Sequence, residues 1–259
     1  NQMDFAAVIR IGEGKKDKSY GLFKGEQVGK LKEVSDAPRY ELAVDPIDGT
    51  RPTVTSGPEA ISVIAVAQPG SLFSTDEYYM NKLAYGPEVA RRVKLSLSDP
   101  LSKTIAQISR AAGKNPSKIM VCILDRPRHQ EMIRELRNLG VRIKLIQDCD
   151  VSGAIAACLP ESGIDLLCGI GGAPEGIITE CAMKCLRGGF EAQVVSPEGK
   201  IVDPKIYSIE DLVRGPCAFA ATGVTNGSLL KGVRYTEQGP VTSSVFMRSE
   251  SGTVRWLAT

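Results

Sequence analysis

The sequence predicts a layered α/β (α+β) fold on three observations. Apolar β-rich runs alternate with helically spaced apolar residues through the middle of the chain, the last thirty or so residues read as short strands split by turns, and 42% of the 259 residues are hydrophobic, enough for a sizeable core. In order, Ala6–Ile11, Glu41–Val44, Ile61–Ala67, Ile119–Leu124, Val141–Ile146, Ile164–Cys168, Ala192–Val195 and Cys217–Ala221 read as strands. Between them, RHQEMIRELRNLG carries Met132, Ile133, Leu136 and Leu139 at helical spacing and stops on Gly140. A second helix opens at Pro174, with Ile177, Ile178, Cys181, Met183 and Leu186 before Gly188-Gly189. The tail from Gly232 has Gly-Pro and Ser-Gly turns, so an antiparallel element is expected to close the fold.

The polar, helical stretch over residues 88–118 marks the expected boundary between an N-terminal half, 1–90, and a C-terminal half, 91–259, joined in one two-subdomain unit. Thirty-two Lys and Arg against thirty Asp and Glu leave a formal charge of +2 without a long run of like charge, so neither nucleic acid nor a membrane surface is an expected partner. No apolar run approaches the ~20 residues of a membrane helix. The seven cysteines are scattered, without a CxxC pair, and read as reduced core thiols of a cytoplasmic protein. The first residues run directly into a strand-like segment, so further residues are expected upstream; a plastid location follows if a transit peptide is among them.

The stretch LAVDPIDGT places Asp45 and Asp48 three apart around Pro46. Two close carboxylates repel unless a cation neutralises them, and Mg²⁺ or Mn²⁺ prefers oxygen ligands. Read alone, the segment is equally well a β-turn, for which Asp, Pro and Gly are favoured. Three further acid clusters follow apolar β-rich runs: Glu13 within IGEG with Asp17 nearby, Asp148 and Asp150 in QDCDV, and Glu175 in GIGGAPEG. Each by itself is ordinary turn or helix-start chemistry; four in one chain favour a site. In LDRPRH, Arg126 and Arg128 offer planar forks suited to phosphate, where a lone reading gives surface arginines. His129 is the only histidine and no GxSxG or GxxxxGK[ST] occurs. Acids, arginines and glycines without a nucleophile–base pair fit metal-assisted hydrolysis of a phosphate ester.

These motifs, IGEG with Asp17, AVDPIDGT, EYYMNKLAYGP, LDRPRH, DCDV, GIGGAPEG and ATGVTNGSLLKGVR, occur in the order and approximate spacing of the class II (GlpX-like) fructose-1,6-bisphosphatases, which the chain resembles over nearly its whole length. DPxDGT alone also resembles the inositol monophosphatase and lithium-sensitive phosphatase superfamily. The resemblance implies a layered αβαβα sugar-phosphatase fold and hydrolysis of the 1-phosphate of fructose 1,6-bisphosphate, in gluconeogenesis or a Calvin-type cycle. It implies Mg²⁺ or Mn²⁺ on Glu13, Asp45, Asp48 and Glu175, with Asp17, Thr50 and Glu175 catalytic. The sugar bisphosphate would be held by Asp48, Gly49, Thr50, Tyr79, Arg126, Pro127, Arg128, Asp148, Cys149, Asp150 and Gly172. A homo-oligomer, dimer or tetramer, is expected.

Departures from the family pattern are visible. Lys15 stands where an acid is usual, Cys149 replaces the glycine of DGD, and Asp48 is Glu in many members. Sedoheptulose-1,7-bisphosphatase, alone or combined with the fructose activity, is the neighbouring expectation. A catalytically silent sugar-phosphate-binding homologue is the expectation from another class.

Overall fold

Two mixed sheets share one helical layer between them. The computed structural model describes residues 3–13, 21–75 and 79–259. The first sheet contains β1 (Ala6–Ile11), β2 (Gln27–Val28), β3 (Arg39–Asp48) and β4 (Ile61–Ala67). The second contains β5 (Tyr79–Tyr85), β6 (Met120–Leu124), β7 (Arg142–Ile146), β8 (Leu166–Gly172), β9 (Gly189–Val195) and β10 (Ile201–Ser208), in the order β10-β9-β5-β8-β6-β7. The chain then returns with β11 (Cys217–Gly223), makes a small hairpin of β12 (Arg234–Thr236) and β13 (Gly239–Val241), and ends in β14 (Ser243–Arg248) and β15 (Thr253–Ala258). The first sheet is thereby ordered β15-β14-β11-β4-β3-β1-β2. β14 and β15 are the antiparallel closure expected from the tail.

The helices are α1 (Thr50–Thr55), α2 (Pro87–Ala90), α3 (Leu101–Ala112), α4 (Gln130–Asn138), α5 (Asp150–Ala156), α6 (Ala173–Leu186) and α7 (Ile209–Leu212). α6 is buried nearly all round because it lies between the sheets, touching β3, β4 and β11 on one side and β5, β8 and β9 on the other. With α5 it fills the larger core, which includes Val63, Ala65, Phe219 and Val245 of the first sheet and Met80, Ala84 and Leu167 of the second. α2, α3 and α4 close the outer side of the second sheet over Leu83, Val121 and Leu166. The stack is sheet, helices, sheet, helices.

Two departures from the sequence reading bear on function. Strand β3 does not stop at Val44 but continues to Asp48, with an irregular register: Asp45 pairs with Val63 and Asp48 with Ile61, so Pro46 and Ile47 face Ser62 alone. Pro46 has no N–H for the ladder, and the Ile47 N–H is taken by Asp45 Oδ1 at 3.0 Å. The second departure is β5, which the sequence reading missed because Asn81 and Lys82 interrupt its apolar pattern. It nevertheless lies inside the second sheet, paired with both β8 and β9.

Candidate active site

The acids at the bulge in β3 and just past the ends of β7 and β8 act on one another electrostatically. Asp48 is buried, and its Oδ2 has no hydrogen-bond partner. Burial drives its carboxyl well above the usual carboxylate range, and Asp150, Glu175 and Asp45 add repulsion that Lys82 partly offsets. Gly49 then adopts φ 97°, a left-handed conformation that glycine takes without strain. It also leaves room, since a Cβ there would stand 2.3 Å from Cys149 Sγ. Thr50 follows as the exposed first residue of α1.

At the end of β8, the backbone of Gly172 lies under the side chain of Glu175, so close that a Cβ at 172 would be 1.8 Å from Glu175 Oε2. That oxygen is sealed from solvent without a partner. The Glu175 carboxyl is raised by burial; Lys82 pulls against this and Asp150 adds to it. Asp150 opens α5, is 7% exposed, and its Oδ2 accepts from Lys82 Nζ at 2.7 Å. Lys82, absent from the sequence-predicted set, is 1% exposed on the missed strand β5. Its only signal in the sequence is a lysine flanked by residues that otherwise pack, within NKLAY.

The arginine loop after β6 stands within electrostatic reach of Asp150. Arg126 forms an ion pair with Asp148 Oδ1 and donates to the Asp125 carbonyl at 3.0 Å. Arg128 donates twice to the Ile170 carbonyl, at 2.9 and 3.2 Å, and lies over the Tyr79 ring at 5.2 Å. Pro127 is exposed between them. His129 pins the loop: its Nδ1–H donates to the Leu124 carbonyl at 2.8 Å and its Nε2 accepts the Ile170 N–H at 2.8 Å. Burial holds its pKa below the usual value, with Arg128 and Arg126 adding to the effect against the Leu124 bond. The lone histidine is therefore a neutral brace.

Cys149 sits between the two acids of QDCDV at φ 66°, in the left-handed conformation that explains a glycine at this place in the related pattern. Its thiol donates to the Asp48 carbonyl at 3.4 Å, and burial, reinforced by Asp48, Asp148 and Asp150, pushes it far above the thiol range. All seven cysteines are free and buried, Cys181 and Cys185 included.

The structure thus brings Asp45, Asp48, Asp150, Glu175 and Lys82 into electrostatic contact. Glu13 lies just past β1, where its N–H donates to the Leu22 carbonyl at 2.8 Å. Asp17 lies outside the described residues. Among the described residues no three His, Cys, Asp or Glu side chains are gathered tightly enough to hold an ion by themselves. The donors nonetheless suit a hard cation: they are all oxygens, two of them are sealed and unpartnered, and their mutual repulsion is what a divalent charge relieves.

Comparison with known proteins points the same way. The family model described as bacterial fructose-1,6-bisphosphatase, glpX-encoded, matches residues 1–259. Proteins named D-fructose 1,6-bisphosphatase class 2/sedoheptulose 1,7-bisphosphatase from Microcystis aeruginosa and Crocosphaera subtropica are each 34% identical to the chain, over 100% of it and 84% of their own length. The protein of the same name from Synechococcus elongatus is 33% identical with the same coverage.

Proposed function

The chain belongs to the glpX-encoded bacterial fructose-1,6-bisphosphatase family, and on that premise we propose how its site hydrolyses the 1-phosphate of fructose 1,6-bisphosphate to fructose 6-phosphate and inorganic phosphate. The observation that carries the reading is the pair of sealed, unpartnered carboxylate oxygens of Asp48 and Glu175 beside Asp45 and Asp150. Glu13, Asp45, Asp48 and Glu175 would hold Mg²⁺ or Mn²⁺. When bound, such an ion supplies Lewis-acid polarisation of the phosphoryl oxygens and an acidified water.

The chain's own groups do the rest. Asp17 with the Thr50 hydroxyl orients the attacking water and takes its proton. Gly49 and Gly172 border the transferring phosphoryl group and, lacking a Cβ, leave room for Cys149 Sγ and the Glu175 carboxylate. Arg126 and Arg128 grip the distal phosphate; the Arg126 fork has donors beyond those given to Asp148 and Asp125, and Arg128 is held by Ile170 of β8 and Tyr79 of β5. Asp148 and Asp150, with the backbone around Pro127 and Cys149, take the sugar hydroxyls.

The double name of the relatives supports sedoheptulose 1,7-bisphosphate as a second substrate, since the phosphates carry most of the grip and the sugars differ by one hydroxymethine. Assembly as a dimer or tetramer belongs to the same proposal, supported by the half-exposed Trp256 and Leu257 on edge strand β15; light scattering on the purified chain tests it. A reducing compartment such as the cytoplasm suits seven free buried thiols. No helix among the described residues is long and apolar enough to cross a membrane.

The deciding experiment is inorganic phosphate release from each bisphosphate with Mg²⁺, with Mn²⁺ and with EDTA. Metal-dependent release from the fructose ester is expected. Equal release in EDTA would overturn the cation assignment, and no release with either ion would overturn the catalytic one.

A further inference from the structure

Lys82 is among the largest wholly buried side chains of the protein, at 1% exposure. It projects from the interior of the second sheet, where its strand partners are Gly169 and Ala192, toward the layer of α5 and α6. An ammonium is costly to remove from water, and among the described residues this one is matched by an ion pair to Asp150 at 2.7 Å. The surroundings are cleared for that pair. A Cβ at Gly171 would lie 2.0 Å from Asp150 Oδ2 and 3.0 Å from Lys82 Nζ, and one at Gly176 would lie 3.1 Å from Lys82 Cε. β8 and α6, the elements that carry Gly172 and Glu175, therefore also shape the lysine's niche.

The ion pair divides the carboxylates. Lys82 also draws on Asp48 and Glu175 through space, yet its direct hydrogen bond goes to Asp150 Oδ2, while Asp48 Oδ2 and Glu175 Oε2 stay without a partner. We propose that Lys82 is a positioning residue that withholds Asp150 from the divalent ion, keeping it oriented toward the sugar and confining the ion to the other acids. The proposal rests on the cation-dependent phosphatase reading above. With Lys82 removed, Asp150 becomes a further anionic oxygen donor facing the same ion, so the site gains ion affinity while losing its grip on the sugar.

The test is calorimetric titration of the full chain with Mn²⁺ alone, next to kinetics on fructose 1,6-bisphosphate. Lys82→Met, similar in length and uncharged, is expected to bind Mn²⁺ about tenfold more tightly, because one compensating charge is gone at close range, and to show a raised KM. Asp150→Asn is expected to bind Mn²⁺ more weakly. The double variant Lys82→Met/Asp150→Asn, which restores the charge balance, should return within about threefold of wild type in Mn²⁺ affinity without recovering KM.

Unchanged or weaker Mn²⁺ binding by a folded Lys82→Met protein, whatever its thermal stability, would reduce the lysine to a structural role and overturn the proposal. If Lys82→Met does not fold, the double variant decides: affinity near wild type supports the division, and a tenfold loss sinks it. Turnover with Mn²⁺ in wild type alongside such a result leaves the phosphatase reading standing. A wild-type chain that neither binds Mn²⁺ nor releases phosphate brings both down.

Discussion

Helix α6 carries two glutamates, Glu175 in its first turn and Glu180 at its middle, whose surroundings differ in kind. Glu180 is 0% exposed, with both oxygens unpartnered, and burial is the largest influence driving its carboxyl well above the usual range; Lys184 is the cation opposing this. Glu175 also has a sealed oxygen, but it shares its space with Asp48, Asp150 and Lys82. A lone buried acid is relieved by a proton. Several acids at one point, with Lys82 the one lysine acting on Asp48 and Glu175 among the described residues, leave negative charge that a proton at one of them does not remove, and a divalent ion does. The contrast separates a carboxylate that the core tolerates from those the proposed chemistry would use.

The largest expected effect tests the clustered member. Glu175→Gln should lower turnover by about 100-fold or more, with the fold kept, since it removes a proposed cation ligand and one member of a repelling set; circular dichroism with phosphate release reads both. Turnover within a few fold of wild type would erase the distinction between the two glutamates. Next, Arg126→Met should raise KM about tenfold or more, in line with the loss of charged hydrogen bonds to a phosphate. A change confined to kcat would mean that Arg126 serves Asp148 alone.

The isolated member gives a stability effect. A carboxyl whose folded pKa is raised binds its proton more tightly in the folded state, so stability is fullest below the unfolded value of about 4.3 and declines as pH rises through the folded one. Glu180→Met should therefore stabilise the protein at pH 7 by roughly 1–3 kcal/mol, the cost of a buried polar group without a partner. The gain should shrink toward pH 4, where the folded and unfolded chains both hold the proton, with turnover unchanged. A pH-independent gain in urea unfolding would refute burial of the charge as its origin.

The smallest effect has the opposite sign. His129 is held neutral, so below about pH 6.5 the unfolded chain takes up a proton that the folded chain resists, and stability falls toward the lower folded value. His129→Gln, which can still bond to Leu124 and Ile170, should flatten that slope. An unaltered acid profile would show that the brace does not titrate as its burial implies.

Much of the architecture can be read locally. β1 and β4 occupy the ranges that their apolar runs predict, and α4 and α6 follow their spacing and glycine stops, because alternation and helical period are properties of short segments. The acids and arginines also stand out as clusters, since each lies where an apolar run ends. β5 is the counterexample. Its polar Asn81 and Lys82 mask a strand whose place in the sheet comes from partners more than eighty residues away at Gly169–Gly172 and farther still at Gly189–Val195.

The sequence by itself determined the alternation of elements, the acid-bearing turns and, through motif order, the family, because these depend on residue type and spacing along the chain. Only the tertiary structure decided that β3 runs through a bulge to Asp48, that Asp148 is engaged by Arg126, and that a lysine stands beside Asp150. Charge, burial and hydrogen bonding at these atoms are set by groups distant in sequence. Their energies exist only once two sheets and a shared helix have brought those groups within a few ångströms.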